Sequence, residues 1–579
     1  MPAFQKTPRV HVLRTPATRQ ASPSRSTGLL LLGWVAVLVI GAALRLWQLP
    51  EQVLFDDELH ALHKAMDAGF RDILTHFGRA DHSIPLTALY NAVLRWGGSL
   101  DEWTMRLPLL LGGLAMIPLI PWLMRPFATP EERLLTGGLL AISPLLIQFS
   151  RQARPYTLAV VLAWLAVMAF WFWWQGGGRR WAVAYVAGTA LAAWLLSVTL
   201  VFTLAPFVYF GVRALWAGVK HRDYAALHRL TKLGVVTVVP LLILLGPPVY
   251  FDFAALSHKA GTHQVTPVTI WRALELFMGA ANPAVSIAWT GLAVGGAVVL
   301  GRRTPALATY LAAVCGIGAL IIVASNASWI HYGMIFGRYM LPVQPLLLAL
   351  VAIGLLSATS PLFPVLRWGV VGLFLALVYA LGPLPAVYHQ PVNQFTGHLA
   401  YQFDYDMERS LYRQHMPRGP APAFYRGLAE LPPGSVTLVF APWYFESFWN
   451  RLHYHQQTHR QWVLVGMRSG YCADRPPGEY RPGQSGLAMR NQVHLTDVVA
   501  PQSDVNADYL VFHLDGPREG AGDLNDWFAN RSRLRPLEDT AACLTRLEAD
   551  LGPPMYADEA MVVFQLRRDA PDVPGFGRD

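Results

Sequence analysis

The feature of this sequence that most constrains its fold is a series of about eleven apolar runs, each long enough to cross a bilayer as a helix. Only 14% of the residues are charged and 53% are hydrophobic, which is typical of a chain that faces lipid over much of its surface. We therefore expect a mainly α-helical, polytopic membrane protein. The runs lie at 29–47, 107–124, 133–149, 156–174, 181–197, 199–217, 233–251, 284–301, 305–324, 338–357 and 365–385.

The positive charges between these runs indicate how the chain crosses the membrane. Residues 1–27 contain five basic residues and no acidic one, and the apolar run that follows is longer than the core of a cleaved signal peptide. With this N-terminus in the cytoplasm, alternating spans place the basic loops at 125–133, 179–180, 213–232 and 302–303 on the same side, as the positive-inside rule requires. The net charge of +9 therefore reflects topology rather than nucleic-acid binding.

This threading predicts three parts of the chain. A basic cytoplasmic N-terminus (1–27) precedes a transmembrane domain (28–385), and an odd number of spans leaves 386–579 outside. In this last part, β-rich runs at 435–440, 461–466, 509–514 and 561–566 alternate with polar or helical stretches, which predicts a small α/β domain. Cys472 and Cys543 both lie there, where an oxidising compartment would permit a disulfide. We expect a bacterial-type inner (plasma) membrane protein.

The first outer loop, residues 48–106, opens with three consecutive carboxylates, Asp56, Asp57 and Glu58. One explanation is an acidic first turn of an interfacial helix, which the helix dipole favours. The other is a catalytic acid or base a few residues beyond the membrane exit. The loop alone does not separate the two explanations.

Arginines also lie on the predicted outer side, against the usual distribution of positive charge. Arg151 and Arg154 precede Tyr156 in one short outer loop, and Arg338-Tyr339 leads into a later span. Anchoring at the headgroups would explain any one of them. Several at one level, near an acidic loop, favour an anionic partner such as a lipid phosphate, which guanidinium binds bidentately.

Taken together, these motifs resemble the GT-C superfamily of membrane glycosyltransferases. The closest likeness is to protein O-mannosyltransferases (glycosyltransferase family 39 type) and aminoarabinose transferases. The resemblance covers roughly the first 200 residues and, more loosely, Arg338-Tyr339. It rests on Asp57-Glu58, Asp81-His82 with Pro85 and Tyr90, Arg106-Leu107-Pro108, Ser143-Pro144 and residues 150–156.

The resemblance implies transfer of a monosaccharide from a polyprenyl-phosphate carrier to an extracytoplasmic glycan, lipid or protein, by inverting single displacement. Asp57 matches the catalytic carboxylate of such enzymes, with Glu58 beside it. The donor phosphate would be bound by Arg151, Arg154, Tyr156, Arg338 and Tyr339. Further substrate contacts are expected from Asp81, His82 and Arg106, and from His258 and Lys259 in the outer loop 252–283.

One position departs from the family pattern. Many relatives carry a basic residue in the outer loop between the fifth and sixth spans, where this chain has Ser197-Val198-Thr199. One expected phosphate contact is therefore absent from that loop or supplied elsewhere.

The sequence predicts no metal site and no cofactor beyond the donor lipid, although some distant GT-C enzymes use a divalent ion. His453, His455 and His459 lie close together, but no carboxylate or cysteine is placed nearby in the usual pattern, and we expect them to be exposed. A transporter or flippase of lipid-linked sugars is the main alternative function, and a non-enzymatic scaffold is another. The chain shows no paired repeats of the kind common in transporters.

Overall fold

The structure is a computed structural model, and it describes most of residues 25–385 and much of residues 421–576. Within these bounds the described residues are 25–47, 49, 58, 61, 64–65, 68–77, 83–98, 100–257, 261, 263–280, 282–385, 421–441, 455, 458–467, 471–472, 492–514 and 540–576.

The first part of the membrane domain contains five long helices, a short helix that continues one of them, and two short helices of the first outer loop. Proline begins α5 and α6, where its missing N–H would have had no helical partner. The helices are α1 (Arg25–Leu46), α2 (Phe70–Thr75), α3 (Ile84–Arg95), α4 (Glu102–Leu123), α5 (Pro130–Ile142), α6 (Pro144–Ser150), α7 (Tyr156–Trp174) and α8 (Arg179–Leu195).

The second part continues with the remaining spans and the outer loop 252–283. Two 3₁₀ turns, Ser197–Thr199 and Leu341–Val343, join neighbouring helices into longer apolar segments. The helices are α9 (Leu200–Thr203), α10 (Ala205–His221), α11 (Ala225–Phe251), α12 (Phe253–Ser257), α13 (Pro267–Met278), α14 (Pro283–Arg303), α15 (Pro305–Ala324), α16 (Gly333–Met340), α17 (Gln344–Ala358) and α18 (Pro364–Leu381).

Every one of the predicted spans coincides with helix. In the described part of the chain, nine helical segments are long and apolar enough to cross a membrane. A tenth span is the pair α5 and α6, and the remaining predicted span is α8, which has only 17 residues. The predicted mainly helical membrane fold is therefore confirmed.

The predicted span 133–149 differs from expectation because it is not a straight helix. Helices α5 and α6 are bent by 62° at Ser143-Pro144. Proline has no N–H for the helical hydrogen bond and disfavours helical backbone at the preceding residue, and Ser143 is extended with ψ of 117°. The bend brings the last turn of α6 to the end of α1.

The C-terminal part forms the predicted α/β domain around a six-stranded sheet of order β3-β2-β1-β4-β6-β5. Strands β3, β2, β1 and β4 are parallel, β6 is antiparallel to β4, and β5 to β6. A disulfide between Cys472 and Cys543 ties the helix before β5 to the chain after β2. The elements are α19 (Ala423–Leu428), β1 (Thr437–Ala441), β2 (Trp462–Met467), β3 (Gln492–His494), α20 (Leu495–Val498), β4 (Tyr509–His513), α21 (Thr540–Leu551), β5 (Tyr556–Ala557) and β6 (Met561–Gln565).

Two histidines expected on the surface are buried instead. His455 and His459 are 3% and 0% exposed, and both rings stack on Tyr425. The hydroxyl of Tyr425 lies 2.7 Å from Nε2 of His513. Burial, and then the charge of His455, lowers the pKa of His459 to about 3. The expectation of exposure was wrong because stacking on a tyrosine about 30 residues away covers both rings; His453 lies outside the described residues.

The α/β domain packs directly on the first outer loop. Phe440 of β1 and Val463 of β2 share one apolar cluster with Tyr90 of α3, Met105 of α4 and Ala153. This contact places the domain above the loop that carries the predicted catalytic acids.

Candidate active site

A buried ion pair anchors the acidic loop at the end of the bundle where α4 and α7 begin. Nε and Nη2 of Arg106 donate to the two carboxylate oxygens of Glu58, at 2.9 and 2.8 Å. Both side chains are 0% exposed, and Nη1 of Arg106 donates to the carbonyl of Leu49 at 2.9 Å. The predicted roles of Glu58 in catalysis and of Arg106 in substrate binding stay predictions, but the geometry gives this pair a structural role.

The same carboxylate reaches the arginine loop. The backbone N–H of Ala153 donates to Oε1 of Glu58 at 2.7 Å. Tyr90 is fully buried, and its hydroxyl donates to the carbonyl of Met105 at 2.6 Å. Burial, and then the charge of Glu58, raises the pKa of Tyr90 far above its usual range, so its phenol stays neutral. Glu58 therefore links the acidic loop, α4 and residues 151–155.

Two of the predicted phosphate-binding arginines flank one tyrosine ring. The Cζ atoms of Arg154 and Arg338 both lie 5.8 Å from the ring centroid of Tyr156. Nη1 of Arg338 is also 3.4 Å from the Tyr156 hydroxyl, although 182 residues separate them in sequence. Folding thus brings together two guanidinium groups from distant motifs, at a distance typical of cation–π contacts.

Arg151, another arginine near this site, binds backbone carbonyls. Nη1 of Arg151 donates to the carbonyls of Trp47 and Leu44, at 2.6 and 3.3 Å, where α1 ends. Carbonyls at a helix end lack helical partners, so Arg151 caps α1. Its predicted phosphate contact stays a prediction.

Arg45 was not among the predicted site residues. Its side chain is 0% exposed and lies near the bend between α5 and α6. Arg45 donates to the carbonyls of Leu140 and Ala141 at 3.0 and 2.9 Å, and to Oγ of Ser150 at 3.1 Å. A Cβ at Gly113 would overlap Ser150, so glycine is needed where α4 passes. The only sequence signal was a charge within the first apolar run.

The turn before α16 is held by stacked rings. The ring centroids of His263 and His331 are 4.5 Å apart, and those of Trp329 and Tyr332 are 6.0 Å apart with planes 16° from parallel. Oγ1 of Thr269 donates to the carbonyl of His331 at 2.6 Å. Burial, and then the charge of His263, lowers the pKa of His331. These contacts fix the loop from which the helix carrying Arg338 begins.

An apolar cavity lies deeper in the bundle, between α7 and the 3₁₀ turn that follows α16. Ala163, Trp164 and Val167 of α7 line it roughly 10–17 Å along the helix from Tyr156. Pro342, four residues after Arg338, and Cys315 of α15 line it as well. The cavity is small, with room for about one water-sized sphere.

Several predicted site residues are not among those that the structure describes. They are Asp57, Asp81, His82, His258 and Lys259. Tyr339 is half-buried and packs against the membrane-domain core, so its predicted phosphate contact is untested. Among the described residues, no group of three or more histidine, cysteine or carboxylate side chains could hold a metal ion.

The sequence matches no known family model and no curated protein. Among solved structures, the chain is similar to ArnT from Cupriavidus metallidurans in the apo state, with 16% identity over 94% of this chain and 99% of that one and a TM-score of 0.47. The chain is also similar to ArnT from the same organism bound to undecaprenyl phosphate, with 15% identity over 94% of this chain and 100% of that one and a TM-score of 0.48. A third similar structure is the archaeal oligosaccharyltransferase AglB from Archaeoglobus fulgidus, in complex with an inhibitory peptide and a dolichol-phosphate. Its identity is 12% over 84% of this chain and 70% of that one, with a TM-score of 0.42.

Proposed function

We propose that this chain transfers a monosaccharide from a polyprenyl-phosphate carrier to an acceptor at the non-cytoplasmic face of the membrane. The observation that carries the proposal is the placement of Arg154 and Arg338 on one tyrosine ring, beside the loop that Glu58 anchors. Two guanidinium groups from separate parts of the chain form a site suited to a phosphate oxyanion.

The chemistry needs a base on one side of the anomeric carbon and a stabilised leaving group on the other. In our proposal Asp57 accepts the proton from an acceptor hydroxyl or amine as that group bonds to the anomeric carbon. The bond from this carbon to the phosphate oxygen breaks, and polyprenyl phosphate leaves with the electron pair. Arg154 and Arg338 offset the charge that develops on the phosphate. A single displacement of this kind inverts the anomeric configuration.

The acidic loop is next to these arginines because of the contacts of Glu58. Asp57 directly precedes Glu58, whose carboxylate accepts from Ala153, the neighbour of Arg154. Consecutive Cα atoms are about 3.8 Å apart, so the candidate base cannot be far from the anchored carboxylate. The adjacency of the two residues supports Asp57 as the base, with Glu58 as a positioning residue.

In our proposal the prenyl chain of the donor lies along apolar surface of the bundle. A prenyl chain whose phosphate binds near Tyr156 could extend along α7 towards Trp164 and Cys315.

The disulfide supports the proposed orientation. Disulfides persist in oxidising compartments and are rare in the cytosol. The bond between Cys472 and Cys543 therefore favours an α/β domain outside the cytoplasm, in agreement with the positive loops. The donor-binding arginines and the acidic loop, on which this domain packs, would then also face outwards.

Reconstituted proteoliposomes test the proposal against the transporter alternative. With labelled polyprenyl-phosphate monosaccharide and a panel of glycan, lipid and peptide acceptors, we expect label to move to an acceptor and polyprenyl phosphate to accumulate in equal amount. Movement of the intact labelled lipid between leaflets without cleavage would contradict the proposal and support a flippase.

Cys315 provides a direct probe of the cavity. It is the one cysteine of the three outside the disulfide. Polyprenyl phosphate should slow its modification by a small lipid-soluble maleimide, whereas a short-chain alkyl phosphate should not. Cys315→Ser, which should take up no label, controls for specificity. Equal labelling with and without the long-chain lipid would exclude this cavity as the site of the tail.

A further inference from the structure

A cluster of arginines and tryptophans lies at the opposite end of the bundle from the candidate active site. Helix α4 carries Arg106 near its start and ends at Leu123, roughly 25 Å further along its axis. The Cζ of Arg125, just past this end, lies 5.5 Å from the Trp122 ring. This separation is close to the thickness of the hydrocarbon core, so the cluster lies at the other membrane surface.

Ring contacts bring a second helix into the cluster. The rings of Trp122 and Trp181 are 6.2 Å apart, which joins the end of α4 to the start of α8. The Cζ of Arg180 lies 5.6 Å from the Trp181 ring. Tryptophan is enriched at the membrane–water boundary, where its ring is at headgroup level. Two arginines are thus held on aromatic surface at the depth of lipid headgroups.

Arg133 of α5 adds a third cation in an unfavourable setting. The positive charge of Arg125 acts on it, and its partly buried side chain places Nε out of contact with solvent. That nitrogen has no hydrogen-bond partner among the described atoms. A bound acceptor at this point would satisfy the buried donor and so be stabilising.

Among the described residues, carboxylates offset only part of this charge. Glu131 acts on Arg133 electrostatically but forms no ion pair with it in the described structure. Glu132 pairs with Arg303 at 2.7 Å and also caps α5 through the Thr129 N–H. The cluster therefore keeps a net positive charge at the membrane surface.

We propose that this cluster binds the headgroup of an anionic phospholipid, with the phosphodiester between Arg125 and Arg133. The guanidinium groups supply charge-assisted hydrogen bonds, and Trp122 and Trp181 contact the upper acyl chains. Positive charge collected between helices on one membrane surface is a recurring way to hold acidic lipids. The site is separate from the sugar-transfer site and does not depend on the proposed function.

Native mass spectrometry of the full-length protein titrated with phosphatidylglycerol or phosphatidylcholine tests this site. We expect the first lipid to bind more tightly, and Arg125→Gln/Arg133→Gln to lower its apparent affinity roughly 30-fold, since two near-surface charges are removed. Arg125→Lys/Arg133→Lys should retain most of the binding. The matched control is Arg222→Gln/Arg302→Gln, which removes two exposed arginines from the same predicted face.

Equal losses in the two glutamine double variants would overturn the proposal, because they would indicate a general charge effect. Unchanged binding in Arg125→Gln/Arg133→Gln would overturn it as well. Inorganic phosphate is a further arm: displacement of phosphatidylglycerol by millimolar phosphate would identify a free-anion site instead of a lipid site. Should the double variant fail to fold, the single variant of exposed Arg125 must still weaken phosphatidylglycerol binding.

Discussion

Two groups of arginines lie at the same end of the bundle and differ in what holds them. In the first group the guanidiniums are bonded to helix-end or loop carbonyls or to Glu58, and in the second both lie against the ring of Tyr156. An arginine on this side of the membrane is therefore not in itself a sign of phosphate binding. The first group is Arg45, Arg106 and Arg151, and the second is Arg154 and Arg338.

The largest expected effect concerns stability and the first group. Arg106→Met leaves Glu58 as a buried carboxylate without its ion-pair partner, which should lower the free energy of unfolding by roughly 3–5 kcal/mol. Denaturant unfolding in detergent micelles measures this change. The double variant Glu58→Gln/Arg106→Met should recover part of the loss. A double variant as unstable as the single one would remove the structural role that we give to the pair.

Acid tests the docked domain separately from the arginines, because guanidinium groups stay charged at any relevant pH. The pKa of His459 is lowered in the folded state, so the unfolded chain binds the proton more readily. The stability that this group contributes is present above about pH 6.5 and falls as the pH drops towards about 3, by an amount on the order of a few kcal/mol.

Unfolding of the α/β domain, with its disulfide intact, is monitored by tyrosine fluorescence as a function of pH. His459→Gln should flatten the profile over this range, while the exposed-site control Gln502→Glu should leave it unchanged. A wild-type profile that is flat from pH 6.5 to 4 would contradict the burial of this ring.

The second group should affect donor binding rather than stability. Arg154→Ala or Arg338→Ala should weaken binding of the polyprenyl-phosphate donor roughly 10- to 100-fold, since each removes a charge-assisted contact. Melting temperatures should change far less than in Arg106→Met. Binding to labelled donor in nanodiscs measures the first quantity. Unchanged donor affinity in both variants would break the distinction between the two groups.

The smallest effect is expected at the shared ring. Tyr156→Phe keeps the ring and removes only the hydroxyl that lies 3.4 Å from Arg338, so donor affinity should fall less than about fivefold. Tyr156→Ala should weaken binding more, because both guanidinium groups lose the ring beside them. Equal effects of the two substitutions would mean that the hydroxyl, rather than the ring, is what matters.

Hydropathy, charge and the β-rich runs were sufficient to predict the spans and the α/β domain, whereas the two cysteines of the disulfide were predicted only to lie where a bond is permitted. Hydropathy and charge did not predict the bend at Ser143-Pro144, because the apolar run continues without a break across it. They also missed Arg45, whose partners are helix-end carbonyls about 95 residues away that no local pattern reveals. Long-range contacts of this kind depend on how helices cross, which composition does not specify.

The motifs did not predict the hydrogen bonds that several of the candidate site residues make. Arg154, Tyr156 and Arg338 come together in the structure, while their predicted role in phosphate binding stays a prediction. Glu58 had been assigned to catalysis and Arg151 to phosphate binding through the resemblance, and both roles stay predictions. Their hydrogen bonds to Arg106, Ala153 and the end of α1 are tertiary contacts, and only the fold could show them.

Sugar transfer and donor binding, measured on one preparation each of Asp57→Asn and Glu58→Gln, test the central claim most directly. Our account predicts that Asp57→Asn abolishes transfer while donor affinity and melting temperature stay close to wild type, and that Glu58→Gln lowers the melting temperature. Full transfer by Asp57→Asn would contradict the account, because Asp57 would then not be the base.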